Sequence, residues 1–172
     1  MKNLTDRFRI TGDKKFSLQD FDTAYAPDYK KGDAETILST LIKQTAEAET
    51  ELYASNRYAL LIIFQAMDAA GKDSAIKHTM SGLNPQGCQV YSFKQPSITE
   101  YDHDFLWRHY VALPERGRIG IFNRSHYENV LVTKVHPELL AKENLPGSNS
   151  LEKMGKDFWK NRYESIRGFE KH

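Results

Sequence analysis

The first regular feature of the chain is an apolar stripe between residues 33 and 56. Apolar or small side chains recur there at three- and four-residue spacing, at Ile37, Leu41, Thr45, Ala48 and Leu52. This spacing predicts a helix with one apolar face, beginning at Asp33 as the N-cap and ending near Ser55. The preceding residues 1–32 are polar with scattered aromatic rings. We expect them to form an N-terminal arm that packs through those rings, with disorder as the alternative.

Three short apolar runs further along the chain predict β-strands. They cover residues 58–64, 88–93 and 118–123, and polar or turn residues bound each of them. The first run, Y-A-L-L-I-I-F at residues 58–64, is continuously apolar, which is typical of a strand that is covered on both faces, as in parallel sheets.

Helical patterns follow each of these runs. We predict helices at residues 72–81, closed by Gly82, and around residues 127–132. A polar loop is expected at residues 143–150, followed by an amphipathic helix at residues 151–169. The expected apolar face of that last helix consists of Phe158, Tyr163, Ile166 and Phe169.

Two overlapping capping signals predict one more helix between the second and third strands. Ser97 is followed by Glu100, and Thr99 by Asp102, at the spacing of a capping box. We expect the helix to continue until Pro114 terminates it. Strands that alternate with helices predict an α/β fold, with a parallel sheet flanked by helices in three layers. The chain then divides into the arm at 1–32 and an α/β core at 33–172.

Composition narrows the functional classes. The chain has 172 residues, of which 40% are hydrophobic and 27% charged, the usual mix of one globular domain. No run approaches the ~18 apolar residues that a membrane-spanning helix needs. Cys88 is the only cysteine, which favours a reducing, cytoplasmic setting. The formal net charge of +1 argues against a broadly basic nucleic-acid-binding protein.

A phosphate-binding turn is the most informative motif in the chain. Residues 66–74 lie between a predicted strand and a predicted helix, which is the setting that a P-loop requires. Small residues at Ala69, Ala70 and Gly71 would let backbone N–H groups approach an anion, and the helix that begins at Lys72 adds its positive dipole end. The Lys72 ammonium would contact the oxygens of the transferring phosphate. A surface turn with a solvated lysine is the alternative.

This turn departs from the general P-loop pattern at two positions. Ala66 stands where the first glycine is usual, and Asp73 where the Mg²⁺-binding hydroxyl is usual, so that Ser74 comes one residue late. Asp68 lies inside the turn, where a carboxylate would repel phosphate unless a cation intervened. We therefore predict Asp68 as a Mg²⁺ ligand; a solvent-exposed turn aspartate is the alternative.

A second polar group follows the third predicted strand. Asn123 and Arg124 come at its carboxyl end, where open α/β sheets place their sites. Asn123 has a Walker-B-like position, and Arg124 could stabilise the charge of a transferring phosphoryl group. A polar turn without function is the alternative. The six histidines show no zinc-ligand spacing.

Three blocks of sequence together resemble the polyphosphate kinase 2 family. They are F-Q-A-M-D-A-A-G-K-D-S-A-I-K-H from Phe64, S-F-K-Q-P-S-I-T-E-Y-D-H-D-F-L-W-R from Ser92, and R-I-G-I-F-N-R-S-H-Y-E from Arg118. The resemblance implies a P-loop kinase fold and Mg²⁺-dependent phosphoryl transfer between inorganic polyphosphate and a nucleotide. Family members use ADP/ATP, GDP/GTP or AMP.

The resemblance also implies roles for particular residues. Lys72 would contact the transferring phosphates, Asp68 would organise Mg²⁺ and the acceptor, and Arg124 would bind phosphate. Asn123 stands where many relatives have aspartate and would be a weaker Mg²⁺ ligand. The remaining expected phosphate contacts are the turn residues Ala69, Ala70, Gly71, Asp73 and Ser74, and a basic track formed by Lys77, Lys94 and Arg118.

Members of this family continue beyond the last helix with a further strand and a basic lid. We therefore expect a truncated chain with weak or no activity of its own, in which apolar surface left by the missing strand would favour a homo-oligomer. Two alternatives stay open at this point. One is another small-molecule P-loop kinase that ignores polyphosphate, and the other is a module that binds nucleotide or polyphosphate without turnover.

Overall fold

The computed structural model describes residues 6–12, 15–22, 24–25, 31–146 and 154–172. The chain divides into two compact units, Met1–Leu41 and Ile42–His172. In the first unit a short 3₁₀ turn at Leu18–Asp20 is capped by Ser17, and the rings of Phe16 and Phe21 lie 5.3 Å apart. The expectation that the rings of the arm pack on the rest of the domain stays a prediction, and residues 26–30 lie outside the described part.

Helix α1 (Lys31–Ser55) begins two residues before the predicted start. Asp33 is therefore not its N-cap but lies in its first turn, where a carboxylate interacts favourably with the helix dipole. The predicted end of this helix at Ser55 is confirmed.

A three-stranded parallel sheet forms the centre of the second unit. Its strands are β1 (Leu60–Phe64), β2 (Cys88–Ser92) and β3 (Ile119–Asn123), in the spatial order β1-β3-β2. Asn123 at the end of β3 aligns with Phe64 on one side and Ser92 on the other. The three carboxyl ends therefore meet at one edge of the sheet, as parallel pairing requires.

Helices and loops pack on both faces of the central strand β3, whereas Leu60 of β1 and Val90 of β2 stay about half exposed. On one face, Ile119 and Ile121 pack with Ile76 of α2 (Lys72–Thr79). On the other face, Phe122 packs with Phe93 and Ala112. Because successive side chains of a strand point to opposite faces, β3 is buried on both sides, and its continuous hydrophobic run follows from that position. The predicted α/β architecture with a flanked parallel sheet is confirmed.

The helix predicted after Ser97 is interrupted. It consists of α3 (Ile98–Tyr101) and α4 (Trp107–Tyr110). The capping box of Ser97 and Glu100 is present, but Asp102 ends α3 instead of contributing to a second box. Between the two helices, Oδ1 of Asp104 accepts from the Leu106 N–H at 2.9 Å. This bond takes the place of a helical hydrogen bond, because short polar side chains compete with the backbone for its N–H groups, and the next helix begins after it.

The last two helices pack together beside the sheet. They are α5 (Glu128–Val135) and α6 (Lys156–Lys171), and a 3₁₀ segment at Pro137–Glu143 lies between them in sequence. Val130 of α5 and Ile166 of α6 share a core cluster with Leu106. Residues 147–153, which include half of the predicted loop at 143–150 and the start of the helix predicted at 151–169, lie outside the described residues.

The buried face of α6 differs from the predicted one at two positions. Arg162 is buried, and its Nη2 pairs with Oε2 of Glu143 at 2.5 Å. Tyr163 is 37% exposed and lies off the core face. A helix that buries an arginine needs a partner for its charge, and Glu143 comes from a segment that was read as loop.

A buried carboxylate ties α1 to the loop before β2. Glu49 is 4% exposed, and its Oε2 accepts from the Asn84 N–H at 2.8 Å. A Cβ atom at Gly87 would collide with Oε1 of the same carboxylate. Burial, with added charge repulsion from Glu49, also raises the pKa of the Cys88 thiol, which favours its neutral form.

Gly87→Ala is expected to lower the free energy of unfolding by about 2 kcal/mol, because it displaces a charged acceptor from a hydrogen bond. Gly168→Ala is the matched control, since the added methyl group meets nothing within 4 Å and lies inside α6. We expect that variant to be more stable by about 0.5–1 kcal/mol. Urea unfolding of both variants checks the prediction, and equal stabilities would contradict it.

Candidate active site

The turn between β1 and α2 has the geometry of an anion site. Gly71 has φ +82° and immediately precedes α2, and Ala69 has φ +61°. Residues 67–71 are exposed, so the backbone of the turn is open to a ligand. Lys72 is the first residue of α2, and the first N–H groups of a helix have no partner within it. The start of α2 therefore brings unpartnered amides, the positive end of the helix dipole and a lysine residue to the same turn.

Arg124 connects this turn to the end of β3. It has φ +65°, a conformation that costs a non-glycine residue about 1 kcal/mol or more, and its N–H donates to the Phe64 carbonyl at 3.0 Å. Its guanidinium pairs with Asp68 and, at 3.2 Å, with Glu128. Partial burial opposes its charge, but the carboxylates of Glu128 and Asp68 outweigh that effect and raise the pKa of Arg124.

A hydrogen-bond network holds the position of Glu128. Nε2 of Gln65 donates to Glu128, and Oε1 of Gln65 accepts from Ser125 Oγ at 3.1 Å. Ser125 is 1% exposed, so the network reaches into the protein. Sequence reasoning did not predict Gln65, Ser125 or Glu128 as site residues. The four-residue spacing of Arg124 and Glu128, which is that of an ion pair on a helix, is a signal that could have found the last of them.

Oxygen donors lie beside this ion pair. Nδ2 of Asn123 donates to Oδ1 of Asp73 at 2.8 Å, and Asp68 is 83% exposed at its side chain. Carboxylate and amide oxygens suit Mg²⁺, which usually takes one or two protein carboxylates and completes its shell with water and phosphate oxygens. Among the described residues no three acidic, histidine or cysteine side chains form a closed metal cage. The donors present, two carboxylates and an amide, are of the chemical type that Mg²⁺ prefers.

A cavity of about 270 Å³ opens next to Arg124. It is lined by side chains from the ends of β2 and β3, from α3, α4 and α5, and from the 3₁₀ segment, among them Lys94, Tyr101, Arg108, Asn129 and Glu143. Lys94, one of the residues of the expected basic track, lies at the wall of this cavity. An ion pair of 3.0 Å joins Arg108 to Glu100, and Nη1 of Arg108 donates to the Lys94 carbonyl at 2.9 Å.

Arg118 does not reach this edge of the sheet. It precedes β3, whose five residues span roughly 16 Å. Its guanidinium donates to the Gln86 carbonyl and lies 4.9 Å from the centre of the Tyr53 ring. Arg118 therefore lies outside the candidate site. It precedes the amino end of β3, whereas Asn123 lies at the carboxyl end of the same strand. Lys77 is exposed on α2.

Two buried histidines lie behind the site. His126 is fully buried, and its Nε2–H donates to Oε1 of Glu170 at 3.3 Å, an acceptor that also takes the Tyr127 hydroxyl. Burial lowers the pKa of His126 against the opposing effect of Glu170, and burial, with Glu170, raises the pKa of Tyr127 to about 12. Within the described residues, Nδ1 of His109 and Nδ1 of His126 have no hydrogen-bond partner.

His109 is expected to make the protein less stable in acid. Burial, followed by the nearby charges of His126 and Arg108, lowers the pKa of His109 to about 3 in the folded state, from about 6.5 when unfolded. Below pH 6.5 the unfolded chain therefore binds the proton first. This contribution to stability is complete above about pH 6.5 and is lost, at up to about 1.4 kcal/mol per pH unit, as the pH falls towards 3.

Urea unfolding between pH 4.5 and pH 7 measures this slope in the wild type and in His109→Phe. The phenylalanine variant, whose ring does not titrate, should show a smaller slope. His78→Gln, which alters an exposed histidine of α2, should keep the wild-type slope. An unchanged slope in His109→Phe would contradict the assignment.

Comparisons with known proteins all point to the same family. The polyphosphate kinase 2 (PPK2) family profile matches residues 28–171. The ADP-polyphosphate phosphotransferase of Rhodopseudomonas palustris is 52% identical over 173 residues, which cover 100% of this chain and 59% of that protein. The AMP/ADP-polyphosphate phosphotransferase of Meiothermus ruber is 35% identical, covering 96% of this chain and 57% of that protein.

A solved structure agrees with the fold. The crystal structure of polyphosphate kinase 2 from Arthrobacter aurescens superposes with a TM-score of 0.75 at 34% identity, covering 91% of this chain and 52% of that one. The chain thus spans less than two thirds of the length of these relatives. Because this family profile matches residues 28–171, which is most of its length, the chain belongs to the polyphosphate kinase 2 family.

Proposed function

We propose that the protein transfers phosphoryl groups between inorganic polyphosphate and a nucleoside mono- or diphosphate, with Mg²⁺. The observation that carries this proposal is the bridge formed by Arg124 between Asp68 of the phosphate turn and Glu128 of α5. It aligns an anion-binding turn, a cation and acidic oxygens at the one edge where the three strands end. Phosphoryl transfer needs positioning and charge stabilisation rather than a covalent intermediate, and this arrangement supplies both.

The chain's own residues have separate roles in this proposal. Backbone N–H groups of residues 69–74 and the Lys72 ammonium hold one phosphate at the start of α2. Arg124, freed in part from Asp68 as phosphate arrives, stabilises the equatorial oxygens of the transferring group. Asp68 and Asp73, with the weaker donor Asn123, would hold Mg²⁺, which supplies neutralisation of phosphate charge.

The cavity beside Arg124 suits the second substrate. At about 270 Å³ it is close to the lower end of the range for small-ligand sites. Lys94 and Arg108, which is paired with Glu100, lie at its wall together with Glu128 and Glu143, and Tyr101 offers a ring. We place the nucleotide there and polyphosphate on the turn. The names of the relatives, which include AMP, ADP and GDP phosphotransferases, support a nucleotide acceptor.

The lone cysteine and the absence of a membrane-crossing helix among the described residues agree with action in the cytoplasm.

Transfer assays with a panel of acceptors test this function. The chain is incubated with polyphosphate, Mg²⁺ and AMP, ADP or GDP, and the products are separated by ion exchange. We expect formation of the next higher nucleotide, loss of the signal with EDTA and its return with added Mg²⁺. Nucleotide binding without product would support the alternative of a module that binds without turnover. Transfer from ATP to a small acceptor, with no use of polyphosphate, would support the alternative of another small-molecule kinase.

A further inference from the structure

A second basic surface lies along α6 and shares no lining residue with the cavity beside Arg124. It is an open groove of about 640 Å³ between the end of α5 and one side of α6. Four basic side chains line it against one carboxylate, and the chain as a whole has a net charge of only +1. Its basic residues are Lys134, Lys156, Lys160 and Arg167. Positive charge is therefore concentrated here.

The spacing of these cations forms a line rather than a cluster. Lys156, Lys160 and Arg167 lie four and seven residues apart on one side of α6. At 1.5 Å per residue they mark a stripe of roughly 16 Å along the helix. Among the residues that the structure describes, these three side chains make no hydrogen bond or ion pair, so their donors are available to a ligand that extends along the helix.

The aromatic residues of the groove are engaged within the protein. The Tyr163 hydroxyl lies 3.4 Å from Nζ of Lys134, which also lies over the Tyr163 ring. Trp159 is half-buried and packs edge-on against Phe158 at 5.2 Å. Surfaces that bind single-stranded nucleic acid offer free ring faces for base stacking. Rings already in contact with their neighbours favour a ligand that presents charge without bases.

We propose that this groove is a second binding surface for inorganic polyphosphate, outside the site of transfer. An extended polyphosphate carries negative charge on every phosphate and no base, which matches a line of unpartnered cations. The inference rests on the proposed function for its choice of polyanion. Bound along α6, the chain would stay associated while its other parts enter the transfer site, which raises the effective concentration of phosphoryl donor.

Fluorescence of Trp159 reports on this groove without requiring turnover. In a Trp107→Phe background Trp159 is the single tryptophan, and long-chain polyphosphate should change its emission. The combined substitutions Lys156→Ala, Lys160→Ala and Arg167→Ala should raise the Kd of this response about tenfold, because three charge contacts are lost. The corresponding Lys→Arg variants at 156 and 160 should bind like the wild type, since they retain the charge.

The matched control removes three exposed cations elsewhere, through Lys43→Ala, Arg116→Ala and Lys142→Ala. It should change the Kd less than about twofold, and Lys72→Ala should still give the full Trp159 emission change at saturating polyphosphate, because that residue belongs to the other site. Equal losses in the groove and control variants, or no Trp159 response in the wild type, would overturn the proposal. So would displacement of polyphosphate by single-stranded RNA at equal charge concentration.

The two proposals fail in different ways. A wild-type chain that shows the groove response but forms no product would contradict the proposed function and leave the second surface standing. A chain that transfers phosphate but whose Trp159 emission does not change with polyphosphate would contradict the second surface and leave the proposed function standing.

Discussion

Replacing Lys72 by alanine is expected to lower the rate of transfer from polyphosphate to nucleotide by about 10²- to 10³-fold. The ammonium stands at the first position of α2 beside Gly71, where charge shifts during the reaction. The turn itself owes its shape to the φ values of Ala69 and Gly71 and not to the lysine side chain. The loss should therefore appear mainly in kcat, with the fold unchanged by circular dichroism.

Lys43→Ala is the control for this prediction, since it removes one exposed lysine from α1. It should retain wild-type kcat. A Lys72→Ala variant that keeps kcat within about threefold would mean that backbone amides and other cations suffice, and the role given to Lys72 would be abandoned.

Arg124→Lys is expected to lower kcat by about 10²-fold although it keeps the positive charge. The guanidinium contacts Asp68 and Glu128 at once, whereas an ammonium offers no planar fork and satisfies one of the two at a time. In this variant the lysine ammonium would be displaced from the position of the guanidinium, and either Asp68 or Glu128 would remain unpaired next to the bound phosphate. Steady-state kinetics at saturating polyphosphate and nucleotide measure this loss.

Stability separates this effect from misfolding. The Arg124 side chain is 32% exposed, so the ion pairs should contribute less than about 1 kcal/mol to folding. Urea unfolding of Arg124→Lys should thus resemble that of the wild type while kcat falls. A variant that loses stability and activity together, with kcat per folded molecule unchanged, would contradict the catalytic role.

Local patterns in the sequence predicted most of the elements that form the edge of the sheet. The apolar runs before Phe64 and Asn123 indicated buried strands, and Gly71 followed by Lys72 marked the start of α2. These features depend on neighbours within a few residues, where spacing and side-chain type decide the structure. The alignment of Phe64 with Asn123 then follows from parallel pairing of the two strands.

Features that depend on distant contacts were missed. Nothing near Gln65 in sequence indicates that its amide meets Glu128, 63 residues later. Arg118 was predicted in the wrong place because its charge suggested phosphate, while its side chain finds the Gln86 carbonyl and the Tyr53 ring instead. Tyr163 fits an apolar stripe by spacing, yet Arg162 takes the buried position because Glu143 is there to pair with it.

The most direct test of the central claim follows the phosphorus atom itself. Polyphosphate labelled with ³²P is incubated with the chain, Mg²⁺ and unlabelled ADP, and the nucleotides are separated from the polymer. We expect label in the terminal phosphate of ATP, formed by the wild-type chain and reduced about 10²-fold or more in Lys72→Ala. ATP without label, or equal labelling by both chains, would contradict transfer from polyphosphate at this site.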